Sequence, residues 1–418
     1  MRLFSACVSV LVLPLIFWFC RLLFEKRSVA WMTMALVAVS PFHILYAREA
    51  RQYSAWMVLT LLSTVAFLHA TDSRSVRSWC VYSLTIAAGL YVHLLFLTVL
   101  AAHGLYIGLA VLKPWPLTAG RLLREYGAFL LSSLAGLLLF MPWIAIIIYN
   151  THKSAVTLSW VNQPIKPFLL LARWGFNYSI LFLDMDRSGT FAETFSAATL
   201  TVRVLQVLVL LVLVYALGFI WRKAQRQAAL LVLALIGGPF LFLAASDFVL
   251  GGWSSGVARF LVPSYLGVHI AVAYLLTTKI KPARKPAWII VGASLLLAGT
   301  LSCAMIVRAD RWWHKTTGYY LPEVISIINH SDQPLLIAPM SGDLLSIAHG
   351  LHSNVSVLPL TEQGTVGPIV LQKEIFLYDP AGRLFGRLEK IPGVILTPSI
   401  ERAGLWKVQK RDRGFNVP

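Results

Sequence analysis

The chain has 418 residues, of which 58% are hydrophobic and only 13% are charged, and this composition excludes an ordinary soluble globular protein. The formal charge of +18 does not indicate a nucleic-acid partner, because the Lys and Arg residues are grouped in short connectors between apolar runs. The composition therefore predicts a polytopic α-helical membrane protein.

Eight apolar runs are each long enough to cross a hydrocarbon core of about 30 Å. They are 3–24, 29–45, 53–70, 126–149, 198–221, 228–250, 258–278 and 287–307. A ninth run, 79–112, would form a helix of about 50 Å, which is too long for one ordinary span. Because Gly89 and His93 interrupt this run near its middle, we predict two short spans joined by a tight turn, and ten spans in all.

The connectors between these runs predict which segments face the cytoplasm. Five of them hold 14 Lys or Arg residues against three acidic ones, and they are 25–28, 72–78, 113–125, 222–227 and 279–285. Ten spans place all five on one side, which the positive-inside rule makes the cytoplasmic side. The segments on the outer side are then the start of the chain, 40–53, 150–197, 251–259 and everything after about 308.

Two segments do not fit a simple count of spans. The run 167–183 is apolar enough to be an eleventh span, but it would reverse the later basic connectors, so we predict an interfacial helix there. The outward start leads directly into a span at Met1. We expect an earlier helix and outer loop rather than a signal peptide, because no A-x-A site follows the first apolar run.

Residues 309–418 have a different pattern. Short β-rich runs ("PLLIAP", "VSVLPL", "EIFLYD", "GVILTP" and "LWKVQK") alternate with candidate helices at about 319–330, 341–350 and 381–389. We therefore predict a multi-span membrane core at 1–308, followed by a small α/β domain outside the membrane at 309–418.

A cluster of charges lies between two apolar runs, in "SPFHILYAREARQYSAW". Charges near the apolar slab are costly if they face lipid, so Arg48, Glu49 and Arg51 form a candidate site. The Ser-Pro pair before them disfavours continued helix, which lets polar side chains turn into an outer cavity. The alternative is that the two arginines and Tyr46 anchor the chain at the membrane boundary.

The spacing within this cluster suggests a chemistry. If 48–53 is helical, Glu49 shares a face with Tyr53, and Arg48 and Arg51 form one cationic patch. A carboxylate between two guanidinium groups is expected to stay ionised at neutral pH. Such a group suits a site that holds a phosphate and needs a base or a metal ligand nearby.

The charged stretch resembles the S-P-F-x-x-x-Y-x-x-E-A-R-x-Y signature of the GT-C membrane glycosyltransferases, in the bacterial branch related to protein mannosyltransferases and lipid A aminoarabinose transferases. "RLFSACVSVLVLPLIFWFCRLLF" is similar to that family's second helix, and "GLYVHLLFLTVLAAH" to its His-bearing fourth and fifth. "ARFLVPSYLGVHIAVAYLL" is similar to a late span with an Arg-aromatic-x-x-Pro pattern. The resemblance covers most of residues 1–410, including the outer α/β domain.

The resemblance implies sugar transfer from a polyprenyl-phosphate donor to a lipid, glycan or protein acceptor on the outer face of the membrane. This chemistry needs cations on the leaving phosphate and a carboxylate for the proton of the acceptor. By resemblance Glu49 is a catalytic residue, and Arg51 and Arg259 bind the donor phosphate. The residues that the resemblance implies as cavity-lining are His93, Tyr53 and Arg48. It implies localisation in the bacterial inner membrane, with the site facing the periplasm.

Some of these residues have ordinary structural explanations. A lone His in a span, such as His93, is as often packed and hydrogen-bonded as functional, and Arg259 could be a boundary residue whose charge snorkels to the interface. No residue is assigned as a metal ligand, although a divalent cation is compatible with the site. Asp184 and Asp186 form an Asp-x-Asp pair, which binds metal-nucleotide sugars in other transferases; here we expect a solvated loop.

One departure from the family limits the functional prediction. The family's first outer loop carries the acid usually assigned as catalytic base, and this chain begins after that loop. We therefore expect the 418-residue chain to be nearly inactive, whether its start is set too late, it is a fragment or the protein is inactive. The other functions considered are a secondary transporter and an inactive lipid-binding or scaffold homologue. Against a transporter, the sequence lacks evident paired Gly/Pro-broken helices in matching halves.

Overall fold

The structure is a computed structural model that divides the chain into two units, one ending at Arg308 and one beginning at Ala309. The residues it describes are 2–111, 119–150, 160–185, 197–280, 286–309, 312–313, 318–360, 374–382 and 384–410. The helices of the first unit are α1 (Arg2–Val10), α2 (Val12–Leu23), α3 (Arg27–Ala38), α4 (Pro41–Ala47), α5 (Tyr53–Ser73), α6 (Val76–Val92), α7 (Leu97–Val111), α8 (Ala119–Leu139), α9 (Met141–Tyr149), α10 (Pro167–Ser179), α11 (Ala197–Lys223), α12 (Arg226–Leu250), α13 (Val262–Lys279) and α14 (Pro286–Arg308).

The chain is a polytopic α-helical membrane protein, as its composition predicts. Among the described residues, six helices are long and apolar enough to span a membrane, with α1 and α2 (Arg2–Leu23) counted as one. The pairs α3–α4 and α8–α9 are bent by 57° and 53°, and the count is eight if each pair is one broken span. The prediction of ten spans is therefore wrong. The reason is that α6 and α7 have 17 and 15 residues, fewer than the roughly 20 that a full span needs.

The predicted break in the run 79–112 is confirmed. The Tyr82 hydroxyl in α6 and His103 Nδ1 in α7 lie 2.9 Å apart, whereas a continuous helix would separate these residues by about 30 Å. The chain therefore folds back at His93, and the ring of Phe96 packs against Gly89, where no Cβ would fit. Since a hairpin returns to the side from which it starts, its short helices leave the sides predicted for the basic connectors unchanged.

Contacts at one end of the helical unit bring several basic connectors together. The Tyr274 hydroxyl donates to the Lys223 carbonyl at 2.8 Å, and its ring lies 5.1 Å from that of Phe24. Lys279 lies 5.9 Å from the centre of the Trp288 ring. These residues adjoin the connectors that follow α2, α11 and α13. Three of the five basic connectors therefore share one end of the unit.

The segment predicted as an interfacial helix begins with α10, which has 13 residues. A helix of that length extends for about 20 Å, which is too short to cross a membrane. An eleventh span at 167–183 is therefore excluded, while the interfacial position of α10 stays a prediction.

Close packing of α7 against α12 depends on Gly238. A Cβ added there would lie only 2.8 Å from Ala102 N, and small residues let membrane helices approach this closely. We expect Gly238→Ala to destabilise the helical unit by about 1–3 kcal/mol, as overpacking does, measured by thermal unfolding in detergent. Gly218→Ala in α11 is the matched control, because nothing lies within 4 Å of its added Cβ. Equal unfolding temperatures for the two variants would contradict this account.

The second unit is built on a five-stranded sheet with the strand order β2-β1-β3-β5-β4. The strands are β1 (Pro334–Pro339), β2 (Ser356–Leu360), β3 (Glu374–Tyr378), β4 (Val394–Ile400) and β5 (Leu405–Lys410), and the helices are α15 (Leu321–Asn329), α16 (Gly342–Ala348) and α17 (Phe385–Leu388). β1, β2 and β3 are parallel, while β5 pairs antiparallel with β3 and β4. Each strand coincides with one of the β-rich runs in the sequence.

Side chains of β1 point alternately to the two faces of the sheet, and helices cover both faces. Leu336 packs with Val324 and Ile328 of α15, whereas Ile337 packs with Leu388 of α17 on the other face. Successive residues of a strand point to opposite faces, so an unbroken apolar run such as "PLLIAP" indicates a strand that is buried on both sides. The α/β character of this unit follows directly from that pattern.

Candidate functional site

The backbone changes direction before the charged stretch. Ser40 is buried and donates through Oγ to the Leu181 carbonyl at 2.9 Å, and Pro41 begins α4 at an angle of 57° to α3. α4 ends at Ala47, and residues 48–52 form a turn rather than the helix on which the spacing argument depended. The contact of Arg48 with the distant Ile306 carbonyl overrides the local helical spacing here.

Glu49 and Arg51 form an ion pair in this turn. Arg51 Nε lies 3.8 Å from Glu49 Oε2, with side-chain exposures of 56% for Arg51 and 12% for Glu49. Burial lowers the pKa of Arg51, but a hydrogen bond to Tyr53 and the Glu49 carboxylate outweigh it, so the pKa is raised above its usual value. The guanidinium therefore stays charged beside a largely buried carboxylate.

Arg48 is directed elsewhere. Its Nη1 donates to the Ile306 carbonyl near the end of α14, where carbonyl groups without helical partners favour a cation. The single cationic patch expected from Arg48 and Arg51 is therefore not what the structure contains: Arg48 caps α14, and Arg51 pairs with Glu49. The sequence could not reveal this, because Ile306 is far away along the chain.

Tyr46 interacts with four of the predicted site residues. It is buried in α4, and Arg259 interacts electrostatically with both Tyr46 and His93. The other groups that interact electrostatically with Tyr46 are Glu49, Arg51 and Tyr53. The structure thus brings residues from the 48–53 segment, from the α6–α7 hairpin and from the segment before α13 to one end of the helical unit. We call Glu49, Arg51, Tyr53, His93 and Arg259 the Tyr46 cluster.

His93 is both a packed residue and a member of this cluster. Its ring stacks on Trp56 at 4.1 Å and lies 6.0 Å from the ring of Tyr53. Its Nδ1 accepts a hydrogen bond from the Leu95 N–H at 3.1 Å, which assigns the proton of the neutral ring to Nε2. Burial, with a smaller effect of Arg259, lowers the pKa of His93 to about 4. His93 can therefore donate a hydrogen bond at neutral pH but contributes no charge.

The loop that leads to Arg259 is held by a residue that the sequence did not single out. Asp247, near the end of α12, accepts hydrogen bonds from the Ser254 and Ser255 N–H groups, each at 2.7 Å. Asn177 donates to the Gly256 carbonyl at 3.0 Å. A lone acid at the end of an apolar run, just before a Gly-Gly pair, was the available signal. Asp247 reaches the two N–H groups only because the loop folds back onto the end of α12.

The other acidic pair does not lie in a solvated loop as expected. Asp184 is fully buried, and its N–H donates to Ser302 Oγ at 3.0 Å, so that expectation is wrong for Asp184. Asp186 lies outside the described residues. Across the part of the chain that the structure describes, no group of three or more His, Cys, Asp or Glu side chains is placed to hold a metal ion.

The Tyr46 cluster combines charged guanidinium groups, a carboxylate and a neutral imidazole N–H. Guanidinium groups bind phosphate oxygens, and a carboxylate can accept a proton from a hydroxyl group. Searches against models of known protein families and against curated proteins found no match to this chain.

Proposed function

We propose that the protein transfers a sugar from a polyprenyl-phosphate donor to a lipid, glycan or protein acceptor at the outer face of the membrane. The observation that carries this proposal is that Glu49 and Arg51 form an ion pair beside Tyr53, whose ring lies 4.8 Å from that of Tyr46, and that Glu49, Arg51 and Arg259 all interact electrostatically with Tyr46. A phosphate leaving group in a partly buried site needs fixed cations, and the acceptor needs a carboxylate nearby. The resemblance of residues 40–53 to the GT-C signature supports the same chemistry.

The proposed reaction is a displacement at the anomeric carbon. The acceptor oxygen forms a bond to that carbon, and the bond from the carbon to the phosphate oxygen breaks. The polyprenyl phosphate leaves with the electron pair, and Arg51 and Arg259 stabilise its charge. The proton of the acceptor passes to a carboxylate, for which Glu49 is the candidate within the Tyr46 cluster. His93 would donate a hydrogen bond to a donor or acceptor oxygen.

We further propose that the basic connectors face the cytoplasm of a bacterium and that the Tyr46 cluster faces the periplasm. The expected result is that a membrane-impermeant thiol reagent labels Gln52→Cys in intact cells but does not label Ser75→Cys or Gln225→Cys. The positive-inside rule gives the physical reason, since Lys and Arg in short loops are retained on the cytoplasmic side.

The labelling needs a chain without its own cysteines, because Cys7 and Cys80 are exposed. All four native cysteines are therefore replaced by serine, and permeabilised cells provide the control in which all three introduced cysteines react. Labelling of Ser75→Cys or Gln225→Cys in intact cells would contradict the proposed sides.

One observation favours a transporter as a second candidate. Two helix pairs in the described part of the chain are broken, α3–α4 at Pro41 and α8–α9 near Pro142, although both breaks lie in the first half of residues 1–308 rather than in matching halves. In transporters such breaks line one shared cavity near the membrane midplane. In α9, all of which the structure describes, no residue is buried, so the second break has a different environment from the first. Exchange of a labelled solute in proteoliposomes, without any sugar transfer, would favour the transporter.

A further inference from the structure

Two tryptophans that contact each other, with an arginine at either end, lie beside the Tyr46 cluster. The guanidinium carbon of Arg259 lies 5.2 Å from the centre of the Trp160 ring. The Trp160 ring meets the Trp253 ring edge-on, with centres 5.2 Å apart and an angle of 76°. The guanidinium carbon of Arg173 lies 4.3 Å from the centre of the Trp253 ring. The four residues form a continuous ladder, and Arg259 belongs both to this ladder and to the Tyr46 cluster.

Trp253 is held in a fixed orientation within the ladder. Its Nε1 donates to the Trp160 carbonyl at 3.2 Å, and its backbone N–H donates to the Val161 carbonyl at 3.0 Å. The preceding Gly252 has a φ of +112° and packs directly against the Val161 carbonyl, a position where a side chain would not fit. The 160–161 segment and the loop before Arg259 are thereby fastened together.

Trp160 combines this rigid attachment with exposure. The residue is 39% exposed, although a guanidinium and a second indole ring contact it. Packing inside the helical unit does not require an exposed indole at this place. A ring that is held by its neighbours and open on part of its surface is suited to bind a flat, partly apolar ligand with little loss of conformational freedom.

A sugar ring that carries a phosphate matches the chemistry of the ladder. The face of an indole ring is electron-rich, so it attracts the slightly positive C–H groups on the apolar face of a pyranose. Arg259, directly beside Trp160, supplies the positive charge that a phosphate on the same sugar needs. A purely apolar ligand would make no ion pair with Arg259, and inorganic phosphate would make no contact with the indole rings.

We propose that Trp160 and Trp253 form the subsite for the ring of a phosphate-linked pyranose, with its phosphate on Arg259. This inference rests on the proposed function, because it assigns the place of the donor sugar in that reaction. The competing explanation is that the tryptophans belong to the aromatic belt at the membrane interface, in which case they would not discriminate between sugars and other anions.

The experiment measures binding of glucose 1-phosphate, glucose and inorganic phosphate to the full chain in detergent by ligand-observed NMR. We expect glucose 1-phosphate to bind more tightly than either of the other probes. Trp160→Ala should weaken its binding about tenfold, the factor that corresponds to roughly 1.4 kcal/mol, and leave binding of inorganic phosphate unchanged. Trp160→Phe should restore part of the affinity. Trp221→Ala, which removes an exposed tryptophan near the end of α11, is the matched control and should bind all probes normally.

The possible outcomes separate this subsite from the proposed function. Normal binding of glucose 1-phosphate to Trp160→Ala, with loss in Arg259→Ala, would overturn the subsite and leave the phosphate site intact. Equal loss of glucose 1-phosphate and inorganic phosphate in Trp160→Ala would also overturn it, because Trp160 would then only support Arg259. Normal binding of both anions to Arg259→Ala would instead contradict the phosphate role in the proposed function. Failure of the native chain to prefer glucose 1-phosphate would overturn the subsite as well.

Discussion

Glu49→Gln is expected to lower sugar transfer by on the order of 10²–10⁴-fold, the usual effect of removing one acid–base or electrostatic group from an active site. The side chain of Glu49 is only 12% exposed and its carboxylate lies beside Arg51, so glutamine keeps its size but removes its charge. The measurement is the release of polyprenyl phosphate from a polyprenyl-phosphate hexose. Protein abundance in the membrane should change much less than turnover.

Glu25→Gln is the matched control for this prediction. It makes the same chemical change in an exposed connector at the opposite end of the helical unit, and it should leave turnover unchanged. Turnover of both variants is compared with that of the native chain. Native activity of Glu49→Gln would leave "AREAR" as a membrane-boundary anchor.

Arg259→Ala is expected to weaken binding of a prenyl phosphate by on the order of 10²-fold, because a fixed cation in a partly buried site stabilises a phosphate far more than an exposed one does. Arg51→Ala should also weaken binding of the prenyl phosphate, but by less, since the Arg51 side chain is 56% exposed. The measurement is the dissociation constant of farnesyl phosphate with the full chain in detergent.

Arg222→Ala provides the control for charge alone. This exposed arginine lies in the last turn of α11, away from the Tyr46 cluster, and its loss should leave the dissociation constant unchanged. If Arg222→Ala and Arg259→Ala weaken binding of farnesyl phosphate equally, the binding depends on the net charge of the protein and not on a specific site. Unchanged binding in Arg259→Ala would leave the alternative in which Arg259 is a snorkelling boundary residue.

Local signals in the sequence predicted several parts of the fold correctly. The turn at His93 followed from a run too long for one span, and the five strands of the second unit followed from short apolar runs between turns. In each case the information lies within a few residues of the element concerned, because apolar length and turn residues act locally. The two helices of the hairpin were nevertheless shorter than full spans, so the number of spans was predicted too high.

Long-range contacts explain what the sequence did not reveal about the site. The turn at 48–52 depends on Arg48 binding the Ile306 carbonyl, and the position of Arg259 depends on Asp247 accepting two N–H groups of its loop. Asp184 lies in an apparent loop but is buried against α14. The Arg48 and Asp184 contacts form only when distant segments meet, so no local pattern could predict them. The Asp247 bonds span only seven and eight residues, but they depend on how the loop after α12 folds.

Photocrosslinking with a benzophenone-bearing prenyl phosphate tests most directly whether the Tyr46 cluster binds a prenyl-phosphate donor, and it does not require turnover. Crosslinked peptides of the full chain are identified by mass spectrometry, with unlabelled polyprenyl phosphate as competitor. We expect competed crosslinks in both the 41–53 and the 253–265 segments, and their loss in Arg259→Ala. Crosslinks confined to the opposite end of the helical unit, or unaffected by Arg259→Ala and by the competitor, would contradict the proposed site.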